Sequence, residues 1–193
     1  MSKNTITILV VIGILVIIGL STVSWMNKTY SKAIFYQEEV EMVWSDVLVQ
    51  YQRRADLVPM LVETVKGAAE NERGILTEVT QARAGIVNAK TPQDLELMGK
   101  KINTAINLAF EAYPQIRSTE NFSELQAQLE GTENRISVHR MKYNKAVRNY
   151  NSHRRGKFRK MALNAFGEED EFPKKEMFEA VSENIEVAPK VEF

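Results

Sequence analysis

Cysteine is absent from the 193 residues. That excludes disulfides, thiolate metal sites, a cysteine nucleophile and a lipid-modified cysteine anchor. Neither sign of charge is in excess, with 25 basic residues against 25 acidic ones. A wholly basic nucleic-acid binder and an acidic solvating chain are therefore excluded as the main theme. Also lacking are G-x-x-x-x-G-K, G-x-G-x-x-G, G-x-S-x-G, H-E-x-x-H and E-x-x-H. Without them or a cysteine, the expectation is a protein that is not an enzyme, with no metal and no cofactor. The length suits one domain with a sizeable core.

What the sequence has in abundance is apolar helix. Residues Thr5 to Met26 carry no charge, and at 1.5 Å per residue they span a hydrocarbon core of about 30 Å. Trp25 and Tyr30 stand at the far end, where aromatic belts form. A cleaved signal peptide usually has an apolar region of about 7–15 residues, so an uncleaved transmembrane anchor over 5–26 is expected, after a short tail at 1–4. Gly13 and Gly19 are six apart, so no G-x-x-x-G dimer face is encoded. Lys3 on one side and Lys28 with Lys32 on the other leave the orientation nearly tied.

Beyond the anchor the three-then-four spacing of a helical face recurs. Between Val40 and Val87 it runs through positions 40, 44, 47, 51, 55, 58, 62, 65 and 69, then 76, 79, 82 and 86. One helix of some 48 residues is expected. It should kink at Pro59, and be weakened but not ended by Gly67, Gly74 and Gly85. A second helix opens at Thr91-Pro92-Gln93-Asp94, with Thr91 as cap, and Pro114 is expected to bend or end it. Its stripe is Leu95, Met98, Ile102, Ala105, Ala109, Ala112 and Ile116. A third opens at Asn121-Phe122-Ser123-Glu124, a capping-box pattern, and carries a heptad seam from Phe122 through Leu125, Leu129, Thr132, Ile136, His139, Tyr143 and Ala146 to Tyr150. Three such stripes must be buried against one another or against further copies. The fold class is all-α: one transmembrane helix, then an antiparallel bundle of three to four long helices, with coiled-coil character, over 27–156. An amphipathic segment and an acidic tail, left mobile by composition, would occupy 157–193.

At this point the chain resembles the bacterial LemA family. The similar blocks are Tyr51-Gln52-Arg53-Arg54-Ala55-Asp56-Leu57-Val58-Pro59, Leu61 to Gly67, Glu111-Ala112-Tyr113-Pro114, Asn121 to Gln126, Leu129 to Ile136, Tyr143-Asn144 and Tyr150-Asn151. They occur in order over roughly residues 30 to 155, behind a single anchor. The resemblance implies a membrane-anchored helical bundle of undefined biochemical role, associated in one branch with magnetosome membranes and in gene neighbourhood with membrane zinc proteases. It also implies a short amino terminus outside the cell membrane and a cytoplasmic body. The family often has a Phe-Pro step and a Gly-Phe near its end, where this sequence has Lys157-Phe158-Arg159 and Phe166-Gly167-Glu168.

Two groups of residues stand out as candidate sites. Arg53, Arg54, Asp56 and Glu63 surround Pro59; they form either a docking patch, through the forked recognition of carboxylate or phosphate by arginine, or ion pairs that fix the bundle register. His139 on the seam reads as a hydrogen-bonded core residue, with His153 lying beyond it. Tyr143 and Tyr150, seven apart, share one face and read as packing residues whose hydroxyls reach polar partners.

The second group is electrostatic. Ten basic residues and no acidic one lie between Glu133 and Glu168, while nine acidic and three basic residues follow from Glu168 to the end. Arg148, Arg154, Arg155, Lys157, Arg159 and Lys160 are the candidates for an assembly contact, with the acidic tail or an acidic face of another copy, or for anionic lipid. A solvated basic face beside a mobile tail is the plainest alternative. No base-stacking motif accompanies the charge, so nucleic acid is not an expected partner. The expected function is a non-enzymatic scaffold of the cell (inner) membrane that associates with itself, its partners being further copies and the lipid membrane. The alternative is an adaptor that presents a face to a membrane protease or envelope-stress factor.

Overall fold

A computed structural model of the chain describes residues 3–64, 69–112, 120–167 and 171–179. Among them are five helices: α1 (Lys3–Thr64), α2 (Ala69–Asn88), α3 (Pro92–Ala112), α4 (Glu120–Arg154) and α5 (Lys157–Phe166). The all-α class holds, with one long apolar helix leading into a bundle.

Helix α1 contains 62 residues, a length of about 93 Å. Its most apolar stretch has a mean hydropathy of 2.9, is not buried at all, and is long enough to cross a membrane. Ile8, Ile12, Leu15 and Val16 are each at least half exposed there. Soluble monomers rarely expose a continuous apolar surface of that extent. The helix then runs on without a break into the bundle, where Val40, Val47, Tyr51, Ala55 and Val58 are buried at the expected three-and-four spacing. Pro59 lies inside α1, and the helix continues past it to Thr64.

The single helix expected from 40 to 87 is corrected. Arg83 Nη2 lies 2.6 Å from Asp56 Oδ1, whereas 27 residues of continuous helix would hold the two about 40 Å apart. The chain therefore reverses after Thr64, and α2 packs back along α1. Gly67 and the stripe positions 65 and 69 lie outside the described residues or their described side chains. Within α2 the expected positions Val79, Ala82 and Ile86 are buried, while Ile75 is buried in place of Leu76.

Helix α3 begins where the sequence places it. Asp94 N–H donates to Thr91 Oγ1 (3.1 Å), and Thr91 N–H donates to Asp94 Oδ2 (3.2 Å), a reciprocal cap of the first turn. Hydrogen bonding to the Thr91 side chain, helped by the Thr91 and Lys90 backbone, holds the exposed Asp94 carboxyl below its ordinary range. Leu95, Ile102, Ala105 and Ala109 are buried along its stripe. Close approach is built in at Gly99, where a Cβ would lie 2.6 Å from Tyr51 Cε1. The bend expected at Pro114, the stripe positions Ala112 and Ile116, and the cap role of Asn121 with its neighbour Phe122 lie outside what is described.

Helix α4 buries Leu125, Leu129, Thr132, Ile136, Tyr143, Ala146 and Tyr150, the expected seam, with Val147 beside it. It runs antiparallel to α1, with Arg54 beside Glu133, Trp44 beside Tyr143 and Thr29 beside His153. The four long helices thus alternate in direction. Helices α2 and α3 flank the far half of the α1–α4 pair, and the near half is covered by α5 and by residues 171–179.

That last segment corrects the expectation of a mobile tail. Residues 171–179 form an extended strap with Phe172 and Phe178 buried in the core. Residues 168–170 and 180–193 lie outside the described residues.

Candidate functional site

Arg54 is the most heavily engaged of the Pro59-group residues. Its side chain is only 12% exposed and its Nη1 lies 2.7 Å from Glu133 of α4. Nη1 also donates to the Leu129 carbonyl (3.1 Å), and Nε donates to Asn103 Oδ1 of α3 (3.0 Å). One guanidinium therefore joins three helices, which a point-charge lysine could not match in geometry. Burial lowers its pKa, and Glu133 works against that shift. Beside it opens a shallow cleft of about 530 Å³ lined by Ile106, Asn107, Phe110, Gln126 and Glu130.

The group does not converge on one point. Asp56 pairs with Arg83 of α2 at the surface, both about half exposed. Arg53 is exposed, and at four residues beyond Val49 it lies on a different face from Arg54. Glu63 lies within α1, with its side chain outside what is described.

A second clamp went unread in the sequence. Arg140 of α4 forms an ion pair with Glu96 of α3 and donates to the Glu179 carbonyl (3.2 Å). It also stands over the Phe178 ring, 4.7 Å from its centroid. Phe178 packs with Trp44 and Tyr143, at centroid distances of 6.0 and 5.4 Å. Burial pushes the Tyr143 phenol up to about 12, as it does that of Tyr51.

The Tyr-Asn repeat holds the strap. Asn144 donates to the Phe178 carbonyl and accepts from the Phe178 N–H, both at 2.9 Å. Seven residues on, Asn151 donates to the Lys175 carbonyl (2.8 Å) and accepts from its N–H (3.2 Å). Tyr150 OH donates to the Pro173 carbonyl (2.9 Å). Each side-chain amide imitates a strand neighbour, satisfying one backbone donor and one acceptor. Tyr150 thus finds the polar partner expected of its hydroxyl.

The buried, hydrogen-bonded role read for His139 is found at His153, to which the sequence assigned none. His139 sits on the seam, but its Nδ1 lies 3.8 Å from Asp46 Oδ2, beyond hydrogen-bond reach, and has no hydrogen-bond partner. His153 is the buried, bonded one: its Nε2 lies 2.9 Å from the Thr29 carbonyl. A carbonyl only accepts, so Nε2 carries the proton. Burial lowers the pKa of His153, the Thr29 bond opposes the shift, and Arg159 and Lys32 add to it.

This chain matches the LemA family model over residues 43–193. It belongs to the LemA family. A comparison with curated proteins finds no relative of significant similarity. The match extends through the strap, which carries Phe172-Pro173.

The six basic candidates gather at the end of the bundle nearest the apolar stretch of α1. Arg148, Arg154, Arg155 and Lys160, joined by Lys174, line an open cleft of about 600 Å³. Arg159 lines a smaller one of about 270 Å³ with Lys32, Tyr36 and His153. Lys157 is exposed at the first turn of α5.

Proposed function

We propose that this LemA-family protein is a non-enzymatic scaffold of the cell membrane, anchored by α1, that associates with copies of itself in the bilayer plane. The observation that carries this reading is an exposed apolar stripe on α1. Phe35, Met42 and Val49 are 61, 62 and 39% exposed. Their spacing of seven residues sets them within about 40° of one another on the helix surface. The stripe continues the line of the apolar stretch, so two anchored copies would present it to each other in parallel and at matching height. Anchoring in a plane raises the effective concentration for such lateral contact. In favour of a non-catalytic role, Arg54 and Asp56 are already occupied in pairs between helices.

The absence of cysteine makes the test clean. Single variants Phe35→Cys, Met42→Cys and Val49→Cys are oxidised in native membranes, with Lys100→Cys on α3 as the control. A disulfide dimer at the three stripe positions and none at Lys100→Cys is expected. No dimer at any position, or equal dimer at all four, refutes the lateral contact. A single adduct to one different protein at the stripe favours the adaptor role.

A further inference from the structure

We propose that α5 and the end of α4 form an interfacial site for the phosphate headgroups of anionic lipid in the same bilayer that α1 enters. The inference rests on the anchor reading and is independent of self-association.

Its first support is position. His153 bonds the Thr29 carbonyl, and the Tyr30 ring meets Phe166 and Phe172 at 6.4 and 5.6 Å. Thr29 and Tyr30 lie only three and four residues past Met26, the end of the uncharged run, about 5–6 Å along the helix. Because α1 is continuous there, these contacts pin α5 at the level of the headgroups, where most of a bundle surface never reaches.

The second support is what α5 presents. Ala162 and Leu163 are buried against the bundle, while Phe158 and Met161 are 74 and 62% exposed on another face. Ala165 is exposed at seven residues from Phe158, and Lys157 and Lys160 lie along one side of the stripe. A ten-residue helix with an outward apolar stripe and cations beside it has the pattern of an interfacial helix. Third, the cleft behind it is lined by five cations, Arg148, Arg154, Arg155, Lys160 and Lys174. Of the described carboxylates on this end, Glu171 accepts from Tyr30 OH at 2.9 Å and Glu41 lies 4.0 Å from Lys175 Nζ. Forked arginines suit a phosphate diester, and anionic lipid supplies that group at this depth.

The full chain carrying Phe158→Cys, labelled with an environment-sensitive fluorophore, is placed in nanodiscs of neutral or 30% anionic phospholipid. Recovery of the protein with the discs tests the anchor separately. A blue shift confined to anionic discs and reversed by 0.5 M salt is expected. Adding Lys157→Gln, Lys160→Gln and Arg155→Gln, all at exposed positions, should lower the docked-to-undocked ratio about five-fold per cation. Water-like emission in both discs overturns the proposal. An equal shift in both overturns headgroup recognition, because the apolar stripe alone would account for it. A shift in neutral discs on adding 10 mM inorganic phosphate would mark a soluble-phosphate site and overturn the lipid assignment.

Discussion

Replacing Asn144 and Asn151 together with alanine should release residues 171–179 while leaving the bundle folded. Each asparagine makes two bonds to strap backbone, at 2.8 to 3.2 Å. Partly buried bonds of this kind contribute about 0.5–1.5 kcal/mol each, so the pair of substitutions removes about 3 kcal/mol from the strap's opening free energy. Phe172 and Phe178 remain, each buried side chain stabilising the closed strap by about 2 kcal/mol. The strap should therefore open more often without detaching completely. Where opening is fast relative to cleavage, sensitivity rises with the open population, here on the order of 100-fold. Trypsin at Lys174 and Lys175, with hydrogen exchange at Lys175 and Phe178, reports this directly, and α1 and α4 amides serve as internal reference. Asn144→Asp should lie between, since it still accepts the Phe178 N–H but repels the Phe178 carbonyl. Unchanged cleavage in the double variant would show that the aromatic contacts and the bonds from Tyr150 and Arg140 suffice to hold the strap, and would refute the amide argument.

Arg54→Met should destabilise the bundle by about 2–3 kcal/mol in denaturant titration, because charge-assisted bonds to Glu133 and Asn103 are lost from a largely buried position. Asp56→Asn should cost less than about 1 kcal/mol, its pair with Arg83 being exposed; equal losses for the two would contradict the clamp. For His153, the depressed folded-state pKa means its stabilising contribution is complete above the ordinary value of 6.5. That contribution is lost as pH falls below 6.5 towards the lower folded value, since the unfolded chain takes up the proton first. The thermal midpoint of the native protein should drop between pH 7.5 and 5 more steeply than that of His153→Gln, which can still donate to Thr29; parallel profiles would remove His153 from the account.

The seams of α1, α3 and α4 were legible because a helix facing a core repeats its burial every three or four residues, and Thr91 was legible because a cap is local. The reversal after Thr64 was not. The apolar positions 58, 62, 65 and 69 keep the same period whether the helix continues or turns back, and Gly67 alone is a weak stop. Beyond it Val79, Ala82 and Ile86 are buried as the unbroken pattern has them, so the period carries no mark of the turn. The strap was missed for a different reason. Its composition is that of a solvated tail, and what orders it is backbone bonding to amides on α4, a recognition that leaves no periodic trace in the strap itself. The importance of His153 over His139 likewise depends on a carbonyl 124 residues away. In the candidate sites, the sequence supplied the charged residues. Whether they meet was decided by helix faces: Arg54 turns inward, and Arg53, one position earlier, turns out.

The continuity of α1 has a mechanical consequence. In the anchored arrangement proposed above, no loop interrupts α1 at the membrane boundary, and the part of the helix beyond Met26, about 57 Å long to Thr64, would act as a lever rigidly joined to the span. Spans tilt to accommodate bilayer thickness. A tilt change of about 10° in the anchor would sweep the far end of the bundle sideways by roughly 10 Å. The height and reach of the bundle above the bilayer are thereby tied to the thickness of the lipid below it.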